Sequence, residues 1–198
     1  MSEEPAAEEK ARAQRVVKNF VTSTARETEE LGMRLAKGLS AGSVVALSGE
    51  LGAGKTVLAR GIARGLGVEG YLKSPSFTIV NEYREGRLPL YHIDLYRLSE
   101  GAQDASAEVQ ADELGLEEYL YGDGVCVIEW AERALSLIPD EAVRVTITYG
   151  AEPAEEEGED KKEGTEGGEE REDTVDEART LIVSFNGGCG FEDGAAEG

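Results

Sequence analysis

Histidine and tryptophan occur once each in the 198 residues, as His92 and Trp130, and cysteine twice, as Cys126 and Cys189. Two widely spaced cysteines make neither a disulfide framework nor a zinc site. Cys126 lies inside an apolar run and reads as a core residue. Basic residues are also scarce. Twenty Lys and Arg against 41 Asp and Glu leave a formal charge of −21. That balance argues against a chain that grips nucleic acid over a broad basic surface of its own, while leaving open docking onto a basic protein partner. No apolar stretch approaches the roughly 20 residues of a membrane span. The acidic, Ala-rich stretch Met1–Lys10 has no signal-peptide core. The expectation is a cytoplasmic protein with no membrane partner. Hydrophobic residues are 40% of the chain, enough for a single core.

Residues 1–15 read as a charged, disordered leader. A helix is expected from about Arg26 to Lys37, opened by Thr24 with Glu27 as a capping box and buried along Leu31, Leu35 and Leu39. Val44–Ser48 reads as a strand buried on both faces, and Thr56–Leu66 as an amphipathic helix. Ile79–Tyr83 and Leu88–Asp94 look like a hairpin, Leu114–Leu120 a short helix, and Val125–Ile128 a second buried strand ending at Glu129. Ala131–Leu137 is expected to be a helix stopped by Pro139, and Val143–Tyr149 and Thr180–Phe185 to be strands. Between those last two, residues 151–178 hold 14 acidic against 3 basic residues. Such a stretch buries too little apolar surface to offset its ordering entropy, so it reads as a disordered insertion at a hairpin tip. The domain is then 16–150 plus a last strand at 179–186, with a flexible tail at 187–198. The fold class is α/β, a P-loop NTPase-like mixed sheet flanked by helices, with a C-terminal β-hairpin carrying the acidic insertion.

Gly49-Glu50-Leu51-Gly52-Ala53-Gly54-Lys55-Thr56 has the glycine, Lys and Thr spacing of a phosphate-binding loop. Glycines let successive backbone N–H groups face phosphate oxygens, and the helix that starts there adds its dipole. Lys55 supplies charge to the β and γ phosphates, and the Thr56 hydroxyl is a hard oxygen ligand for Mg²⁺. The expected ligand is therefore ATP with Mg²⁺. A second acid is needed for the metal and another to position water. Glu129 and Asp94 each end an apolar strand, where ligands of an open α/β sheet sit. Glu129 is read as a metal ligand and Asp94 as a catalytic or water-orienting acid. For both the competing reading is a strand-end carboxylate capping the next helix. Ser74, Pro75 and Ser76 lie in a hydroxyl-rich segment placed like a γ-phosphate-sensing switch loop, or a simple connection. Trp130 either stacks on a base or partner or packs locally. His92 reads as neutral packing inside a strand. Arg97 has three open partners: Asp94, Glu129 or phosphate.

Four segments in one order, Leu47–Thr56, Lys73–Thr78 with Asn81–Tyr83, His92–Arg97 and Ile128–Trp130, resemble the TsaE family of bacterial tRNA threonylcarbamoyladenosine biosynthesis proteins, which are small P-loop ATPases. The resemblance runs from about Thr24 to Ile147 and resumes at Thr180–Phe185. It implies an ATPase that works docked on a TsaB–TsaD heterodimer and meets tRNA only through that complex. The complex modifies the adenosine next to the anticodon in tRNAs reading A-starting codons. It further implies that Thr56 and Glu129 bind Mg²⁺, Lys55 binds phosphate, Asp94 supports hydrolysis, and Thr28 lies by the adenine. Glu50 and Ser76 stand where the family more often has Asp and Thr, and the acidic insertion is no part of the family core. A small-molecule kinase is the alternative on the P-loop alone. Residues 98–124 hold no arginine for a phosphate lid.

Overall fold

In the computed structural model, residues 15–70, 72–98, 114–150 and 178–186 are described. The leader to residue 14, the acidic segment 151–177 and the tail from 187 lie outside the described residues.

Seven strands form one mixed sheet in the order β1-β7-β6-β2-β5-β4-β3. The strands are β1 (Arg15–Thr22), β2 (Val44–Gly49), β3 (Val80–Tyr83), β4 (Leu90–Asp94), β5 (Val125–Glu129), β6 (Val143–Tyr149) and β7 (Arg179–Asn186). Strand β2 pairs in parallel with β5 on one side and β6 on the other, and β4 pairs in parallel with β5. Pairs β3–β4, β6–β7 and β1–β7 are antiparallel.

Side chains of a strand alternate between faces, and the core divides accordingly. Val45, Leu47, Val127, Ile147, Leu181 and Val183 face helices α1 (Ala25–Lys37) and α2 (Lys55–Gly65). Ala46, Cys126, Ile128, Tyr91 and Ile93 face the other layer, with Leu116 and Leu120 of α3 (Leu116–Leu120). Burial of β2, β4 and β5 on both faces explains their continuous apolar sequences.

Helix α1 starts as its sequence directs: the Glu27 amide donates to Thr24 Oγ1 at 3.1 Å, and the Ser23 amide donates to Glu27 Oε2 at 2.7 Å. Its last carbonyls accept from Arg87, which reaches Leu39 O at 2.9 Å and Ala36 O from the β3–β4 turn. Glycines Gly32, Gly61 and Gly65 let α1 and α2 approach; a Cβ on Gly61 would lie 2.1 Å from Glu29 O.

Two elements differ from expectation. Ala131–Leu137 is not a helix but two 3₁₀ turns, Ala131–Arg133 and Leu135–Leu137. Trp130 before them is left-handed (φ 61°), and Ala134 between them is non-helical (φ −145°, ψ 58°), so the hydrogen-bond ladder cannot continue. Strand β1 has no counterpart in the sequence reading, and Arg15, the last residue of the expected leader, opens it. Val17 and Val21 point outward on this edge strand, at 59% and 52% exposure, which blurs the apolar alternation.

Candidate nucleotide site

Parallel pairing of β2, β5 and β4 brings three chain ends to one edge of the sheet. Leu47 pairs with Glu129 and Glu129 with Asp94, so the loop after β2 faces both acids. The sheet order runs outward from β2 in both directions, which makes this edge the switch point where α/β proteins bind ligands.

Residues 49–56 wrap the start of α2. Gly49, Gly52 and Gly54 have φ of 143°, 80° and 107°, a run that side-chain-bearing residues rarely adopt. Gly49 is also closed in: a Cβ there would lie 2.3 Å from Ile147 O. Ala53 is fully buried, whereas Glu50 and Leu51 face solvent. The Leu51 carbonyl accepts from Tyr149 Oη at 3.0 Å.

Lys55 is 4% exposed, and its ammonium donates back to the loop carbonyls of Gly49 (2.6 Å) and Glu50 (2.9 Å). The same ammonium sits 3.6 Å from the Trp130 ring centroid, a cation–π contact. Burial holds Lys55 below the usual lysine pKa, against the opposing pull of Glu132, Glu129 and Asp94. Trp130 is itself set by neighbours. Its ring packs on Tyr96 at 4.9 Å, and the Arg133 guanidinium lies 5.2 Å from it while donating to Tyr96 O.

Thr56 Oγ1 donates to Glu129 Oε2 at 2.8 Å. Glu129 Oε1 lies 2.7 Å from His92 Nε2 on the neighbouring strand. Both partners are buried, and His92 Nδ1 has no hydrogen-bond partner among the described residues. A carboxylate only accepts, so His92 Nε2 carries a proton and donates to Glu129. His92 thus orients Glu129, a role that its place in an apolar strand does not signal.

Asp94, 3% exposed, gathers the loop Ser74–Ser76. Its Oδ2 accepts from Ser74 Oγ (2.7 Å) and Ser76 Oγ (3.0 Å), and its Oδ1 from the Tyr96 amide (2.9 Å). One lone pair of Oδ1 stays available for a water. Pro75 is buried, and its carbonyl accepts from the Thr78 and Ile79 amides, turning the chain into β3. A cleft of about 410 Å³ is lined by these groups, among them Lys55, Thr56, Ser74, Ser76, Asp94 and Glu129, with Trp130, Tyr96 and Arg97.

Thr28 lies behind the loop rather than on the cleft wall. It is 1% exposed, its hydroxyl meets Thr22 Oγ1 at 2.8 Å, and its methyl is 3.9 Å from where a Gly54 Cβ would stand. Arg179 of β7 packs there too, 3.5 Å from the same point and 6.0 Å from the Tyr149 ring. This cation beside the loop is unpredictable from local sequence, because the hairpin that delivers it closes across residues 151–177.

The donor set suits a hard divalent cation. Thr56 and Glu129 offer adjacent oxygens, and the buried Lys55 ammonium, held by two carbonyls and the Trp130 ring with no carboxylate of the described residues bonded to it, suits an anion beside it. Among the described residues no three His, Cys, Asp or Glu side chains group to hold a metal by themselves, so such an ion would complete its shell with phosphate and water. No helix among the described residues is long and apolar enough to cross a membrane.

Comparison with known proteins agrees with this architecture. The family model for "Threonylcarbamoyl adenosine biosynthesis protein TsaE" matches residues 22–157. A tRNA threonylcarbamoyladenosine biosynthesis protein TsaE from Bacillus subtilis is 40% identical over 126 residues, 64% of this chain and 74% of that protein. Its namesake from Treponema pallidum is 44% identical over 127 residues, 64% of this chain and 88% of that one. The crystal structure of Bacillus subtilis YdiB superposes with a TM-score of 0.62 at 29% identity, covering 88% of each chain. The family match takes in residues 49–56, both strand-end acids and residues 74–76 in a single span, and the chain belongs to the TsaE family, which serves tRNA threonylcarbamoyladenosine biosynthesis.

Proposed function

We propose that this chain binds Mg-ATP in the loop Gly49–Thr56 and hydrolyses it as the ATPase subunit of a tRNA-modifying complex. The work of the subunit is to drive turnover of a TsaB–TsaD heterodimer, and tRNA is met only through that complex. The observation that carries the reading is the 2.8 Å contact of Thr56 Oγ1 with Glu129 Oε2 beside the buried Lys55. A hydroxyl, a carboxylate and an ammonium converging at a helix N-terminus, where glycines leave the backbone amides open, suit a metal–phosphate pair.

Each residue has a task in this reading. Lys55 leaves its loop carbonyls and Trp130 to hold phosphate oxygens. Thr56 and Glu129 hold Mg²⁺, whose charge would neutralise the β and γ phosphate oxygens. His92 keeps Glu129 turned toward Thr56. Asp94 fixes Ser74 and Ser76 at the cleft and offers its free lone pair to the attacking water. Trp130 stays behind and reports the departure of Lys55 from its ring. A cytoplasmic setting follows from the proposed partners.

The test is multiple-turnover formation of threonylcarbamoyladenosine on tRNA by TsaB–TsaD with the adenylate-forming enzyme and Mg-ATP. Product is expected to stop near one turnover without this chain and to continue with it, but not with Lys55→Ala. If the chain hydrolyses ATP and changes nothing in this assay, the pathway role falls, and a screen for a kinase acceptor replaces it.

A further inference from the structure

Lys55 and Arg97 line the cleft, Arg133 stands against its Tyr96–Trp130 wall, and of the three Lys55 and Arg133 are fixed. Lys55 is bound to Gly49 O and Glu50 O, and Arg133 donates to Tyr96 O while lying over the Tyr96 and Trp130 rings. Arg97 lines the same cleft, three residues beyond Asp94, and is exposed. In a chain with twice as many acids as bases, it has no carboxylate and no hydrogen bond among the described residues. Its guanidinium rests 4.3 Å from the ring centroid of Phe77. Phe77 belongs to the loop that Asp94 holds through Ser74 and Ser76, and it is 83% exposed.

A guanidinium over an exposed ring gives up little to leave it, since water weakens such contacts at the surface. A bidentate bond to phosphate is stronger. Arg97 is therefore parked on Phe77 in the cleft that Ser74, Ser76 and Asp94 also line, with no salt bridge to hold it there among the described residues.

We infer that Arg97 is a catalytic residue for phosphoryl transfer, swinging from Phe77 onto the terminal phosphate of ATP. This rests on the ATPase reading above and adds to it the group that carries the transition-state charge. In the step, a water oxygen bonds to the γ-phosphorus and the bond from that phosphorus to the bridging oxygen breaks. The electron pair leaves with ADP, the water's proton passes by way of Asp94 to solvent, and the products are ADP and phosphate. Charge on the departing γ-phosphoryl oxygens and on the bridging oxygen peaks mid-step, where a mobile guanidinium is most effective. Parking on Phe77 keeps Arg97 near while leaving ground-state nucleotide binding to Lys55 and the loop amides.

Binding of Mg-ADP with and without aluminium fluoride, read by Trp130 fluorescence, separates these roles, alongside steady-state hydrolysis. Arg97→Ala is expected to bind Mg-ADP within about threefold of wild type, to lose the tightening that aluminium fluoride gives, and to lower kcat by about 100-fold or more with KM little changed. Arg97→Lys, which keeps the charge without the fork, is expected to recover only a small part. Wild-type tightening and kcat in Arg97→Ala would overturn the inference and leave the nucleotide site intact. Failure of wild type itself to bind Mg-ADP would overturn both the inference and the ATPase reading.

Discussion

His92 Nε2 lies 2.7 Å from Glu129 Oε1, and Thr56 Oγ1 lies 2.8 Å from the other oxygen of the same carboxylate. Glu129 is thus gripped from two sides, by a neighbouring strand and by the phosphate loop. Replacing His92 by Leu removes the grip from the strand and leaves a buried carboxylate oxygen unpaired. Mg²⁺ affinity in the presence of ADP is expected to fall by about 10- to 100-fold, as for other groups that orient metal ligands. ADP binding without metal should change little, and His92→Gln, which retains a donor at similar reach, should recover part of the loss. Magnesium titrations followed by Trp130 fluorescence measure each. Equal Mg²⁺ affinity in His92→Leu and wild type would refute the positioning role.

Lys55 gives the site a pH dependence of defined sign. Burial lowers its pKa below the ordinary lysine value of 10.5, so the folded state disfavours the charged form. The penalty for burying that charge is fully present below the folded pKa and is relieved as pH rises from there to the unfolded value. Stability of wild type relative to Lys55→Met should therefore improve with pH across that window, which thermal melts over a pH series would show. ADP affinity should move oppositely, falling as Lys55 loses its proton at a pH where an ordinary lysine is still charged. Lys55→Arg, if it binds, should hold a constant affinity through the same range. An affinity in wild type that is flat up to pH 10.5 would contradict the burial argument.

Gly49 has φ 143°, and a Cβ there would meet Ile147 O at 2.3 Å. The obstacle is backbone of the neighbouring strand, which cannot yield without disturbing the β2–β6 pairing. Gly49→Ala is expected to cost about 3 kcal/mol or more of stability, combining backbone strain and overpacking. Denaturant unfolding measures it, and a loss below about 1 kcal/mol would mean that the loop adapts more freely than this geometry allows.

Cys126 is 1% exposed at the centre of β5, and burial pushes its thiol far above the ordinary range. In a Cys189→Ser background it should resist thiol reagents until the protein unfolds, reacting at the rate of opening. Fast labelling under native conditions would show that β5 is less enclosed than described.

The parts legible in the sequence are those fixed by local chemistry. The loop Gly49–Thr56, the Thr24 cap and the strand ends at Asp94 and Glu129 each depend on a few adjacent residues, and the structure has these elements where they are expected. What could not be read depends on distant pairing. His92 meets Glu129 only because β4 and β5 align Asp94 with Glu129. Tyr149 and Arg179 reach the loop through a hairpin closed across 27 intervening residues, 151–177. Strand β1 gains its place from β7, a partner more than 150 positions away, and the register Arg15–Asn186 has no local signature. The expected helix after Trp130 is interrupted at Ala134, whose non-helical backbone has no signature in its helix-favouring sequence.

Trp130 is the sole tryptophan, and its ring centroid lies 3.6 Å from Lys55 Nζ, so its fluorescence senses the position of that ammonium. Mg-ATP titrated into wild type is expected to change the emission in a saturable way as Lys55 leaves the ring for phosphate. In Lys55→Ala the affinity should drop by about tenfold or more, or about 1.4 kcal/mol. Saturable binding of equal affinity in the two proteins would contradict the assignment of Gly49–Thr56 as the nucleotide site.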